Sequence, residues 1–193
     1  MVFRSLDEPA VVQLLMNGAV GVIPTDTVYG VVCRAADAAA VLRLYGIKGR
    51  ERKPGTVIAG SIEQLVELGI KYRYLKAVEQ FWPNAVSVEI PHGLGYLHQG
   101  TMRQAFRIPK NDALSALLKK TGPLLTSSAN HPGEPTANTV HEAEAYFGKA
   151  VDFYVDGGDL SGQVPSTILK IVDDAVEVVR EGAVKIDDNG RMQ

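Results

Sequence analysis

The stretch VGVIPTDTVYGVVCRAADAAAVLRLYGIKGRERKP, Val20 to Pro54, sets a strand, a polar loop and a helix in immediate succession. Val20 to Ile23 is an apolar run of strand length, and Pro24, with no N–H to donate, ends it. Thr25, Asp26, Thr27 and Tyr29 then place four polar or amphipathic side chains in five positions, closed by Gly30. Gly30 to Cys33 reads as a second strand. Asp37 is an N-cap for a helix with Val41, Leu42 and Tyr45 on one face. This helix is expected to end at Gly46, just before Lys48-Gly49-Arg50. A hydroxyl-rich loop leaving a strand suits a small ligand, and a Lys and an Arg around a Gly suit phosphate. The two pieces are expected to face each other across one site.

The flanking sequence supplies further elements. Ser5-Leu6-Asp7-Glu8 reads as a capping box before Pro9, opening a helix that runs to Gly18. Thr56 to Ala59 is a short strand, and Ser61-x-x-Gln64 opens a helix to about Leu68. Tyr72 to Phe81 reads as one helix stopping before Pro83. Ala85 to Ile90 alternates like a strand. His92 to Gly100 is a glycine-bearing loop in which Gly93-x-Gly95 opens no helix. Gln104 to Ile108 is a strand carrying Arg107, and Asn111 or Asp112 caps a helix ending at Gly122. The strand Pro123 to Thr126 runs into Ser127-Ser128-Ala129-Asn130. Thr139-x-x-Glu142 opens another helix, and Phe153 to Val155 is a strand before Asp156-Gly157-Gly158-Asp159. Ser166 to Val172 and Val176 to Arg180 form a hairpin about Asp173-Asp174. The last residues read as frayed. Strands and helices intermix without strict alternation, so the fold class is α/β, a twisted mixed sheet with helices packed on it. One domain over residues 1–193 is expected.

The composition is that of a globular chain, with 46% hydrophobic and 22% charged residues. A net charge of −2 argues against a broad nucleic-acid or membrane surface, though it allows a local basic pocket. Cys33 is the sole cysteine, so there is no internal disulfide, and a reducing, cytoplasmic setting fits. No signal-peptide pattern stands at the N-terminus, and no apolar run reaches the ~20 residues of a membrane span.

Each polar cluster admits two readings. Lys48-Gly49-Arg50 is a phosphate grip or a solvated basic turn beyond a helix C-terminus. The Thr25–Gly30 loop lines a pocket or merely satisfies its own backbone. Thr126 to Asn130 binds a phosphate, ribose or amino-acid group, or forms an ST/Asx turn. Pro165-Ser166-Thr167 has the same form at a strand start. Arg107 and Arg180 sit in or at the end of apolar strands, where each needs a carboxylate or an anionic ligand. No phosphate-loop motif is present, the four His show no ligand spacing, and no metal site is expected.

Taken in order, PTDTVYG (24–30), KGR (48–50), FWP (81–83), FRIP (106–109), SAN (128–130), DGG (156–158), PST (165–167) and Arg180 before Gly182 resemble the YrdC/TsaC family of threonylcarbamoyl-AMP synthases. The resemblance covers about residues 8–185 and is to the short form, without the extra C-terminal domain of larger members. It implies a YrdC-like open sheet with a concave basic cavity. It also implies a reaction of L-threonine, bicarbonate (or CO₂) and ATP that gives threonylcarbamoyl-adenylate and diphosphate. Partner proteins then transfer the group to the adenosine at position 37 of tRNAs, making t6A. By the same resemblance Lys48 and Arg50 hold ATP phosphates, and Ser128 and Asn130 span the junction of threonine and nucleotide. Thr27, with Thr25 and Tyr29, lines the threonine pocket, Arg107 pairs with the threonine carboxylate, Ser166 touches the threonyl part, and Arg180 meets the adenylate or phosphates. Mg²⁺ is expected on the nucleotide. The chain departs from the family pattern at Pro54, Asn84, Arg103 and Pro165, and in the loop from His131 to Thr139. Two other readings carry the same fold or cavity: a carbamoyl-transfer domain like that of hydrogenase maturation proteins, and an RNA-binding module.

Overall fold

The computed structural model describes residues 1–49, 51–173 and 175–193. Among these described residues ten strands join one mixed sheet in the order β1-β8-β2-β3-β7-β4-β6-β5-β9-β10. They are β1 (Val2–Phe3), β2 (Gly21–Pro24), β3 (Tyr29–Arg34), β4 (Thr56–Ile58), β5 (Val86–Pro91), β6 (Arg103–Arg107), β7 (Leu124–Ser128), β8 (Phe153–Val155), β9 (Thr167–Val172) and β10 (Ala175–Arg180). The antiparallel pairs β2–β3, β3–β7 and β4–β7 are followed by a parallel pair, β4–β6. Among the described residues the α-helices are α1 (Pro9–Met16), α2 (Ala38–Lys48), α3 (Ile62–Leu68), α4 (Tyr72–Lys76), α5 (Gly95–His98), α6 (Asp112–Thr121) and α7 (Val140–Phe147). The expected twisted mixed sheet with helices packed on it is the observed fold.

Strand alternation divides the core in two. Val22, Val31, Cys33, Val57 and Phe106 face one side, under Leu44 and Tyr45 of α2, Leu65 of α3 and Phe147 of α7. Ile23, Val32, Ile58 and Leu124 face the other, under Val11 and Leu15 of α1 and Leu114, Leu117 and Leu118 of α6. α1 and α6 cover only part of that second face. Beyond them, the same period-two positions turn polar: Thr126 and Ser128 in β7, Thr56 in β4, Arg103 and Arg107 in β6, Ser87 and Glu89 in β5. A half-covered sheet thus acquires a polar floor.

Several local expectations are corrected. The capping box at Ser5 is incomplete: Glu8 Oε1 accepts the Arg4 and Ser5 N–H groups, but the helix starts only at Pro9, without a side-chain cap. α2, capped by Asp37 Oδ1 on the Ala39 and Ala40 N–H groups, runs through Gly46 to Lys48. A helical glycine costs about 1 kcal/mol, which burial of Leu44, Tyr45 and Lys48 offsets. Gly49, at φ 56°, makes the left-handed cap instead. The helix expected over Tyr72 to Phe81 breaks at Val78, φ −121°, ψ 4°, into α4 and a 3-10 turn, Glu79–Phe81, that buries both Val78 and Phe81. Gly95 does open a helix, the single turn α5. The C-terminal residues are not frayed: Ile186 bridges Met192, and Asn84 Nδ2 donates to Met192 Sδ at 3.4 Å. β9 and β10 pair as expected; Asp174 of their connection lies outside the described residues.

Candidate active site

The polar half of the sheet floors a cavity of about 430 Å³. Its walls are the β2–β3 turn (Thr25, Thr27), the end of β7 (Thr126 to Ser128), β6 (Arg103, Gln104, Arg107), Ser166 before β9, Arg180 of β10, and Arg52 to Thr56. Gly30 is required by close approach. A Cβ there would lie 2.4 Å from Thr126 Oγ1. Arg52, Lys53, Arg103, Arg107 and Arg180 line the cavity against one acid, Glu89. A second, adjoining cavity of about 770 Å³ lies between the end of α2 and the loop after β7, lined by Tyr45, Gly46, Lys48, Gly49, Asn130, Pro132 and others. Lys53 and Ser128 line both.

A polar chain runs along the edge of the first cavity. Asp26 Oδ1 accepts from Arg107 Nη2 at 2.9 Å, with the two side chains only 4% and 3% exposed. Arg107 Nη1 donates to Ser87 Oγ at 3.2 Å, and Ser87 Oγ lies 2.9 Å from Ser166 Oγ. The Arg180 guanidinium then reaches the Ser166 carbonyl at 2.7 Å. The register of β9 and β10 shifts between Val178 and Arg180, and this bulge turns Arg180 toward Ser166. Asp26 Oδ2 and Arg107 Nε stay buried without a hydrogen-bond partner among the described residues. Arg107 is thus paired, as an arginine in an apolar strand must be, and it still lines the cavity.

The expected hydroxyls divide. Thr25 Oγ1 donates to the Val28 carbonyl at 2.7 Å and lies 3.1 Å from Thr27 Oγ1, so these two brace one another while lining the cavity. Tyr29 is wholly buried. Its hydroxyl accepts from Gly157 N–H at 2.8 Å and donates to the Gly158 carbonyl at 2.9 Å, and burial pushes its pKa up. That hydroxyl braces the DGG turn. A Cβ on Gly157 would lie 2.4 Å from Pro24 Cβ.

Lys48 is 3% exposed. Its ammonium donates to the carbonyls of Ser128, at 2.6 Å, and Asn130, and stands 5.6 Å from the Phe147 ring centroid. It therefore pins the loop after β7 to the end of α2. Ser128 Oγ donates to Asn130 Oδ1 at 2.7 Å, and Asn130 Nδ2 donates to the Glu134 carbonyl at 2.8 Å. Arg50 lies outside the described residues.

The structure brings together Thr25, Thr27, Tyr29, Arg107, Ser128, Ser166 and Arg180 in one cavity and Lys48, Ser128 and Asn130 in the next. The sequence reading missed Asp26 as the partner of Arg107, Ser87 as its second support, and Arg52, Lys53 and Gln104 as cavity walls. One signal was available: Ser87 and Glu89 alternate with Val86, Val88 and Ile90, the mark of a strand with one polar face. Among the described residues no group of three or more His, Cys, Asp or Glu is placed to hold a metal ion.

Comparison with known proteins identifies the fold and the family. The Sua5/YciO/YrdC family, described as "Telomere recombination", matches residues 13–182. A threonylcarbamoyl-AMP synthase of Stutzerimonas stutzeri is 32% identical over 164 residues, covering 82% of this chain and 89% of that one. The crystal structure of Escherichia coli YciO superposes with a TM-score of 0.79 at 25% identity, over 94% of this chain and 95% of that one. Pyrococcus abyssi Sua5 complexed with L-threonine gives a TM-score of 0.83 at 24% identity over 95% of this chain, which spans 58% of that longer one. Two adjoining cavities, a buried arginine and hydroxyls at strand ends are thus set in a shared fold, and the chain belongs to the Sua5/YciO/YrdC family.

Proposed function

We propose that the protein is a threonylcarbamoyl-AMP synthase that joins L-threonine, bicarbonate or CO₂, and ATP, releasing diphosphate. The observation that carries this reading is the pair of adjoining cavities sharing Lys53 and Ser128. One has a buried arginine among hydroxyls, the setting for a small carboxylate with a hydroxyl of its own. The other is roomy and bounded by Lys48. Homologues of this length carry the same activity in their names.

In this reading Arg107 takes the threonine carboxylate, with Asp26 and Ser87 fixing its plane. Thr25, Thr27 and Ser166 shape the pocket, and Tyr29 supports it from behind. Ser128 and Asn130 stand at the junction with the nucleotide, Lys48 and Arg50 hold its phosphates, and Arg180 meets the adenylate. The threonine amine adds to CO₂ and loses a proton to give a carbamate. A carbamate oxygen attacks the α-phosphate, and the bond to diphosphate breaks. Two anions must approach, so the protein supplies cations and positioned donors rather than a nucleophile. Mg²⁺ belongs on the nucleotide phosphates, since among the described lining residues the first cavity offers Glu89 as its one acid and the second Glu51. The adenylate passes to t6A-transfer proteins and tRNA in the cytoplasm, and residues 1–193 act as one domain. Among the described residues no helix is long and apolar enough to cross a membrane.

The test is diphosphate release from ATP and bicarbonate, with and without L-threonine. Threonine-dependent release, reduced about 10- to 150-fold in Lys48→Ala, is expected. A folded wild-type protein that releases none overturns the assignment.

A further inference from the structure

We infer that Ser87, buried behind the first cavity, is a positioning residue whose hydroxyl proton holds Ser166 Oγ and thereby turns the Ser166 proton into the cavity, toward a carboxylate. That the carboxylate is threonine's rests on the function proposed above. The order of the two protons rests on geometry alone.

Sheet register brings the two serines together. Ser87 of β5 stands opposite Ile168 of β9. Ile168 lines the cavity, and so does Ser166, two residues earlier. Thr167 between them turns to the other side, where its Oγ1 donates to the Val184 carbonyl. Ser87 is wholly buried and is not among the cavity walls. It is reached from the cavity only through its neighbours.

Two hydroxyls carry two protons and share one bond. Ser87 Oγ lies 2.9 Å from Ser166 Oγ, with either able to donate. Ser87 Oγ also accepts from Arg107 Nη1 at 3.2 Å, and Ser166 Oγ from Arg180 Nη2 at 3.4 Å. Neither hydroxyl has a further hydrogen-bond partner among the described residues. Asp26 Oδ2, the second oxygen of Arg107's partner, accepts from neither. If Ser166 donated to Ser87, the Ser87 proton would be enclosed with no acceptor, which is the costly case for a buried donor. If Ser87 donates to Ser166, the one uncommitted proton belongs to the residue that faces the cavity. The arginines favour the same order, since each occupies a lone pair and leaves the proton to point away from the cation.

This direction selects the ligand. A hydroxyl that already accepts a hydrogen bond is a stronger donor. Arg107 and Arg180 line the same cavity and bond the same pair of hydroxyls. A ligand oxygen at Ser166 therefore sits in the field of two guanidinium groups, a setting for an anion. An ammonium, which only donates, meets no acceptor at the Ser166 hydroxyl. The amino acid enters with its carboxylate toward Ser166 and its amine elsewhere.

The experiment is calorimetric titration of L-threonine, and separately of ATP, into the full chain. Wild type is compared with Ser87→Ala and with the shape-matched pair Ser87→Thr and Ser87→Val, of which only the first keeps a hydroxyl. Releasing one fixed rotamer should weaken threonine about two- to tenfold in Ser87→Ala. Ser87→Val should lose as much, Ser87→Thr should bind more tightly than Ser87→Val, and ATP affinity should stay put throughout. Unchanged threonine affinity in Ser87→Ala overturns the inference. So does an equal loss in Ser87→Thr and Ser87→Val, which would make the site one of shape, or a matching loss for ATP, which would make Ser87 a general support of the fold. A wild type that binds no threonine overturns the ligand. If the variants behave as expected while the wild type releases no diphosphate from ATP and threonine, the role of Ser87 stands and the synthase reading falls. If the wild type releases diphosphate and Ser87→Ala binds threonine undiminished, the reverse holds.

Discussion

Arg107 and Asp26 carry opposite charges inside the protein, 2.9 Å apart. Removing one partner of a buried pair strands the other, which costs about 3–5 kcal/mol. Arg107→Leu is therefore expected to lower unfolding stability by about that amount in urea titration. Asp26→Asn combined with Arg107→Gln should recover most of it while threonine-dependent activity stays lost. Full recovery of both would remove Arg107 from the site. The sequence pointed to Arg107 because an arginine in an apolar strand needs a partner. It could not name the partner, since Asp26 lies 81 residues away. The same distance hid what the Tyr29 hydroxyl does: Tyr29 lines the cavity, and its hydroxyl is used by Gly157 and Gly158 across the sheet. Lys48 was legible as a cation at the end of a helix, but its grip on the carbonyls of Ser128 and Asn130 depends on how two loops meet.

At the scale of elements, Gly182 holds the exit of β10 against the start of β9. A Cβ there would lie 2.4 Å from the Pro165 carbonyl oxygen and 2.5 Å from Thr167 N. Gly182→Ala must push the two strands apart where Arg180 meets Ser166. A destabilisation of about 1–3 kcal/mol with a disproportionate loss of synthase activity is expected in parallel melts and assays. The loop from His92 to Met102 gives a pH signature. Burial, with His98 adding to it, holds the His92 imidazole down to about 4 from its usual 6.5. The unfolded chain then binds a proton between those values that the folded chain does not, so stability falls as pH drops from about 6.5 to about 4 and is flat above. His92→Gln should flatten that segment of the curve, as read by thermal melts at stepped pH. Most strands and the caps of α2, α3, α6 and α7 were legible, because period-two patterns and Asp, Ser, Asn or Thr caps are local signals. The continuation of α2 through Gly46 was not, since it depends on what Leu44, Tyr45 and Lys48 bury. Likewise the break at Val78 depends on a core that no local pattern reports.

For the whole molecule, a net charge of −2 coexists with five basic residues around one cavity. The field at the site is therefore opposite in sign to the net charge, and concave walls focus it. Raising salt from about 0.1 M to about 1 M shortens the screening length from roughly 10 Å to 3 Å. The KM for ATP should climb over that range, whereas threonine, a zwitterion, should respond weakly. Equal salt sensitivity for both would place the phosphates elsewhere. The open sheet was readable from the mixture of elements. The cavity was implied by the family resemblance alone, because it exists only where α1 and α6 stop short of covering the sheet.

Ser128 and Lys53 belong to both cavities. A molecule formed by joining one occupant to the other behaves as a bidentate ligand: each half, while seated, keeps the other at high local concentration, so the joined product dissociates more slowly than either parent. Turnover would then be governed by departure rather than by bond making, and a protein that accepts the adenylate directly would speed the cycle more than any gain in chemical rate.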